Sequence, residues 1–102
     1  MGVHKESSVL FVVPAALARS DTPQLCSDLH AALRSSTAGE VVCDVSLVRA
    51  DAVTIEALCR LFLTAKRCGR RPRLRGVSAE LAELIELAGL RRTLAASVEA
   101  GR

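Results

Sequence analysis

EVVCDVSLVRADAVTIEALCRLFL, residues 40–63, decides the fold, because an apolar run passes through a short polar loop into a long amphipathic stretch. Val41, Val42, Cys43, Asp44 and Val45 are nearly all apolar and mostly β-branched, the composition of a strand buried on both faces. Asp51 stands where a helix begins. A carboxylate there accepts hydrogen bonds from the free amides of the first turn and faces the positive end of the helix dipole, a cap worth about 0.5 to 2 kcal/mol. From Ile55 onward Leu58, Cys59, Phe62 and Ala65 fall on one helical stripe. In open α/β folds, ligands and partners meet the loop that leaves the carboxyl end of a strand. Function is therefore to be sought at residues 49–54.

Upstream, SVLFVV at residues 8–13 is a second β-rich run, bounded by Pro14, and it predicts a strand in the middle of the sheet. Ser20, Asp21, Thr22 and Pro23 gather helix-start chemistry. The helix they open sets Leu25, Cys26, Leu29, Ala32 and Leu33 on one face. Downstream of residue 63, Lys66 and Arg67 suit a last helical turn, and Gly69 suits the left-handed residue that closes it. Residues 73–77 alternate with the period of a half-exposed outer strand, and Pro72 at its start agrees. Ser78 is an N-cap for a third helix, with Val77 placed to staple onto Ala82. Leu81, Leu84, Ile85 and Ala88 form that helix's stripe, Gly89 ends it, and Leu90 folds back on its last turn. A short helix is expected within residues 91–102. Strand and helix thus alternate three times, which predicts a mainly parallel sheet joined by crossovers.

The 102 residues make one domain, with 1–7 and 95–102 expected to fray. Half the residues are apolar, and the only aromatic side chains are Phe11 and Phe62. The core is then aliphatic, and the exposed rings on which single-stranded nucleic acid stacks are missing. Cys26, Cys43, Cys59 and Cys68 occur singly, in apolar-stripe positions more often than not. They point to small buried hydrophobes in a reducing, cytoplasmic compartment rather than to a metal site. No apolar run approaches the roughly 20 residues of a membrane span, and no leader pattern precedes the domain. His4 and His30 have no partner legible from spacing, Glu80, Glu83 and Glu86 form a solvated helix face, and phosphate-binding glycine loops are lacking. No cofactor, metal or catalytic residue is expected.

In that order and spacing, VVCDVSLVRADAVTIEALCRL, AKRCGRRPRLRGVSAELAEL and IELAGLRRTL resemble the signature stretches of the STAS domain. Bacterial anti-sigma-factor antagonists and the cytoplasmic ends of sulfate transporters share that fold. The resemblance spans residues 9–94, and its most specific parts are Asp44-x-Ser46 at the strand end, the Gly69 turn, and residues 78–90 ending in Ala-Gly-Leu. It implies a small α/β domain of STAS type, a mainly parallel or mixed β-sheet with helices packed mostly on one face, acting as a non-catalytic module in signalling and transcription regulation.

In the antagonists, the loop before the second helix reads Asp-Ser-Ser-Gly-Leu, and a partner kinase phosphorylates its first serine. Aligned through Ile55, this sequence puts Asp51 on the Asp, Ala52 on the phosphoacceptor, Val53 on the second Ser and Thr54 on the Gly. Ala52 has no hydroxyl, so the phosphosite is degenerate. A slip of one residue brings Thr54 toward the acceptor place and makes it the candidate phosphosite, against its plainer role as a helix-start hydroxyl. The expected partner surface is Arg49, Asp51, Ala52, Val53, Thr54 and Glu56. The expected partner is a protein, either an anti-sigma factor of kinase-like ATPase type or, in the alternative of a STAS-type accessory subunit, a transport ATPase. Homodimer formation through an edge strand stays open. Lys66, Arg67, Arg70, Arg71, Arg73, Arg75, Arg91 and Arg92 form a basic cluster that could bind phosphate, acidic lipid or nucleic acid. A net charge of only +3 and the lack of a reading motif weigh against it.

Overall fold

The computed structural model describes residues 8–94. In chain order these form β1 (Ser8–Val12), a 3-10 turn (Arg19–Asp21), α1 (Thr22–Arg34), β2 (Glu40–Asp44), α2 (Ala52–Arg67), β3 (Arg71–Arg75), α3 (Ala79–Leu87) and the single turn α4 (Arg91–Leu94). The fraying expected of residues 1–7 and 95–102 concerns segments outside the described residues.

All three strands are parallel and lie in sequence order, so β2 is central, with Leu10, Val42 and Arg73 in one register row and Phe11, Cys43 and Leu74 in the next. When successive strands are added in the same direction by crossovers of one hand, the connecting helices fall on one side. The core shows this. Leu25, Leu29 and Leu33 of α1, Leu58, Leu61 and Phe62 of α2, Leu81 and Ile85 of α3 and Leu94 of α4 join a single cluster with Val41, Cys43, Val45 and Leu74. The side chains of the sheet's other face, Val42 among them, stand outside that cluster.

One strand sits elsewhere than its sequence suggests. SVLFVV reads as a central strand, yet β1 pairs only with β2 among the described residues, and Leu10 and Val12 are 53% and 52% exposed. Phe11 and Val13 turn toward the helices while Leu10 and Val12 turn away. An apolar run reports a lack of polar side chains and not the number of neighbouring strands. Among the described residues β3 is an edge strand as expected, but it spans Arg71–Arg75 and not 73–77, so that Pro72 lies within it and is buried. Proline is tolerated there because an edge strand has a side on which no amide is needed.

The helix ends follow local chemistry. Ser78 Oγ accepts the Leu81 amide at 3.0 Å and caps α3. At the carboxyl end, the Leu90 amide donates to the Ile85 carbonyl and the Gly89 amide to the Glu86 carbonyl, with Gly89 at φ +74°. This is a Schellman closure, and it folds Leu90 back onto the core. α2 closes the same way, Arg70 donating to Ala65 and Gly69 to Lys66. Asp21 does not cap α1 with its side chain; its carboxylate accepts the Ala18 amide at 2.8 Å instead and stabilises the preceding turn. The expected staple of Val77 on Ala82 is replaced. Ala82 is exposed, and Val77 packs against the core.

Candidate functional site

The carboxyl ends of β2 and β3 present one continuous corner. Asp44, the last residue of β2, accepts both the Ser46 amide at 2.9 Å and the Ser46 hydroxyl at 2.7 Å on one oxygen, which turns the chain sharply out of the sheet. Those bonds hold the Asp44 carboxyl below the usual carboxylate range, the Ser46 amide contributing most. The Val45 amide donates to the Arg75 carbonyl at 2.9 Å, extending the pairing of β2 with β3 by one bond. Gly76, at φ +77°, then passes directly over Ser46.

Beyond this turn the loop rises to Leu47, which is 61% exposed, and descends to Asp51. Asp51 is extended, at φ −143° and ψ 174°, and one of its carboxylate oxygens accepts the Thr54 amide at 2.9 Å. The Asp51 carbonyl accepts the Ile55 amide, the first backbone bond of α2. The Thr54 amide and hydroxyl together keep the Asp51 carboxyl below its ordinary value. The cap is therefore the one its position predicts.

The six residues of the expected partner surface divide. Arg49 and Ala52 are exposed, Asp51 and Val53 half-buried, and Glu56 lies one turn further along α2 on the outer side. Thr54 is only 2% exposed. In this conformation a kinase cannot reach its hydroxyl without opening the first turn of α2. The residue at i+3 from an N-cap points back toward the loop and inward, which the spacing alone does not reveal. Glu56 is an ion-pair partner, receiving Arg19 at 2.7 Å and standing 3.9 Å from Arg60. Leu47 is missing from the expected set, although a leucine amid the polar loop residues was a legible sign.

Four arginines of the basic cluster have partners within the chain. The Arg70 guanidinium donates to the Leu33 carbonyl at 3.1 Å and the Ser36 carbonyl at 2.9 Å, and so caps the carboxyl end of α1. Arg71 and Arg73 approach Glu40 at 3.6 and 3.9 Å, and Arg91 pairs with Glu86 at 3.4 Å. Among the cysteines, Cys43 is fully buried, which pushes its thiol up to about 12; Cys59 is also raised, mainly by burial and further by Glu56. All four are free thiols.

No protein-family model matches the chain, and no curated protein matches it. Among solved structures it is similar to a sulfate transporter family protein from Wolinella succinogenes, with 17% identity, a TM-score of 0.67, and coverage of 95% of this chain and 80% of that one. At that identity the likeness concerns the fold. The fold is STAS-like, a small α/β domain with three parallel strands and its helices on one face. No helix among the described residues is long and apolar enough to cross a membrane.

Proposed function

We propose that this chain is a non-catalytic protein-interaction module of the STAS type, which docks on another protein through the corner built by the β2–α2 loop. The observation that carries the reading is the exposed Ala52 at the first position of α2, directly after the Asp51 cap and on the loop that bears Leu47 and Arg49. A small methyl group on a rigid, capped helix start allows close approach of a partner surface. A phosphorylated serine in its place would bring nearly two negative charges there and repel an acidic or apolar surface. With Ala52, the docked state has no such release, and the module binds constitutively in the manner of an anti-sigma-factor antagonist whose switch is degenerate.

A second reading stays within the binding class. The likeness to a sulfate transporter family protein favours an accessory role on a transport complex, with a transport ATPase as partner.

Affinity purification from the native cell with the wild-type chain and with Ala52→Glu tests both. Capture of a histidine-kinase-like ATPase or sigma regulator by the wild type, lost with Ala52→Glu, supports the first reading. Capture of a transport ATPase with the same loss supports the second. A partner held equally by both proteins overturns docking through the loop.

A further inference from the structure

α1 and α2 leave an open groove of about 460 Å³ between them, on the outer side of the helix layer. α1 lines it with Pro23 and Cys26, and α2 with Arg60, Leu63 and Arg67. On α2 the last three recur at i, i+3 and i+7, which is one stripe, so the two arginines stand about 10 Å apart along the axis with the leucine between them. Leu63 is 48% exposed, an apolar side chain that its own fold leaves half in water.

We infer that this groove receives an acidic amphipathic helix of a partner protein, presenting two carboxylates seven residues apart with an aliphatic residue between them. The inference rests on the proposed docking function and names the chemistry of the partner. The groove's charged lining comprises Arg19, Arg60, Arg67 and a lone Glu56, an excess of positive charge. Arg19 holds Glu56 tightly at 2.7 Å, Arg60 stands off at 3.9 Å, and Arg67 forms no ion pair with any described residue. The two arginines of the stripe therefore keep most of their hydrogen-bonding capacity for an incoming carboxylate, in the bidentate geometry that guanidinium favours. Between them, Leu63, Pro23 and Cys26 make an apolar floor of a size for one or two aliphatic side chains, the arrangement by which a groove reads an amphipathic helix at helical spacing. Nucleic acid fits less well, since Glu56 would face its phosphates and the apolar floor would gain nothing from them. The groove adjoins the proposed docking corner through Glu56, one turn from Ala52.

The test is selection of a random helical-peptide library on the full chain, followed by fluorescence anisotropy with the selected peptides and with a random-sequence DNA duplex. Enriched peptides are expected to carry the acidic pair with a Leu, Ile or Met between, and to slow alkylation of Cys26. Their affinity is expected to fall about tenfold or more for Arg60→Glu combined with Arg67→Glu, and to change by less than about threefold for Arg92→Glu. Circular dichroism melts establish that each variant is folded. The inference is overturned if nothing is enriched, if the peptides lack the acidic pair, if the double variant binds them as well as the wild type, or if the duplex binds the groove instead. Peptides lost with Ala52→Glu but kept by the double variant would overturn the groove and leave loop docking standing. A native partner indifferent to Ala52→Glu, beside acidic peptides that require both arginines, would do the reverse.

Discussion

Gly76 lies so close to Ser46 that a Cβ on the glycine would stand 2.8 Å from the serine Cβ and 3.2 Å from its Cα. The contact joins the two loops that form the candidate docking corner, and the backbone of Gly76 is also left-handed, at φ +77°. Gly76→Ala therefore meets both a clash and an unfavourable conformation, and is expected to destabilise the fold by about 1–3 kcal/mol in urea unfolding. Ser46→Gly removes the nearest of those atoms. In the doubly substituted protein the combined loss should be smaller than the sum of the single losses, and strict additivity would show that the two loops are not pressed together.

Asp51→Ala removes the carboxylate that accepts the Thr54 amide, and is expected to cost about 0.5–2 kcal/mol. The folded state lowers this carboxyl below its ordinary 3.8, so its contribution is fully present above that value and is lost as pH falls through the lowered one. The stability difference between wild type and Asp51→Ala should hold from neutral pH down to about pH 5 and narrow below about pH 4. Asp44 titrates in the same direction but is common to both proteins and cancels in the difference. A gap that widened with acid would contradict the cap.

The arginines separate by what their guanidinium groups touch. Arg70→Ala removes the charged donor shared by the Leu33 and Ser36 carbonyls at the end of α1 and is expected to lose about 1–3 kcal/mol. Arg92→Ala, at an exposed position, should stay within about 0.5 kcal/mol of the wild type. Chemical denaturation of the two variants side by side measures the contrast.

The thiols should divide by burial. In the native protein at mildly alkaline pH, a thiol reagent is expected to modify the half-buried Cys26, Cys59 and Cys68 and to spare Cys43, whose titration is pushed up to about 12. Cys43 should react only after denaturant is added, which peptide mapping by mass spectrometry can follow.

Much of this was legible in local sequence because the governing interactions are local. The cap at Asp51, the cap at Ser78 and the closures at Gly69 and Gly89 each involve residues within five positions of one another, so a short window holds both partners. Helical spacing likewise marked Leu25, Leu29 and Leu33 as buried. Apolar periodicity anticipated the alternating architecture, and the resemblance to the STAS domain its helices on one face.

What depended on distant partners was not legible. Arg70 reads as one more surface cation until the end of α1 brings the Leu33 and Ser36 carbonyls, from 37 and 34 positions away, against its guanidinium. SVLFVV reads as a central strand, but its neighbours are chosen by the crossover of α1, which sets β1 at one end of the described sheet. Likewise the positive groove joins Arg19 to residues of α2 more than thirty positions on. Sequence alone determined which segments are helices and strands and where α2 and α3 begin and end, since backbone caps and apolar periodicity act over a few residues. Only the packing of those segments decided that β1 has a single neighbour among the described strands, which arginine is structural and where α1 and α2 leave a groove, because those outcomes depend on surfaces brought together by the chain's return through space.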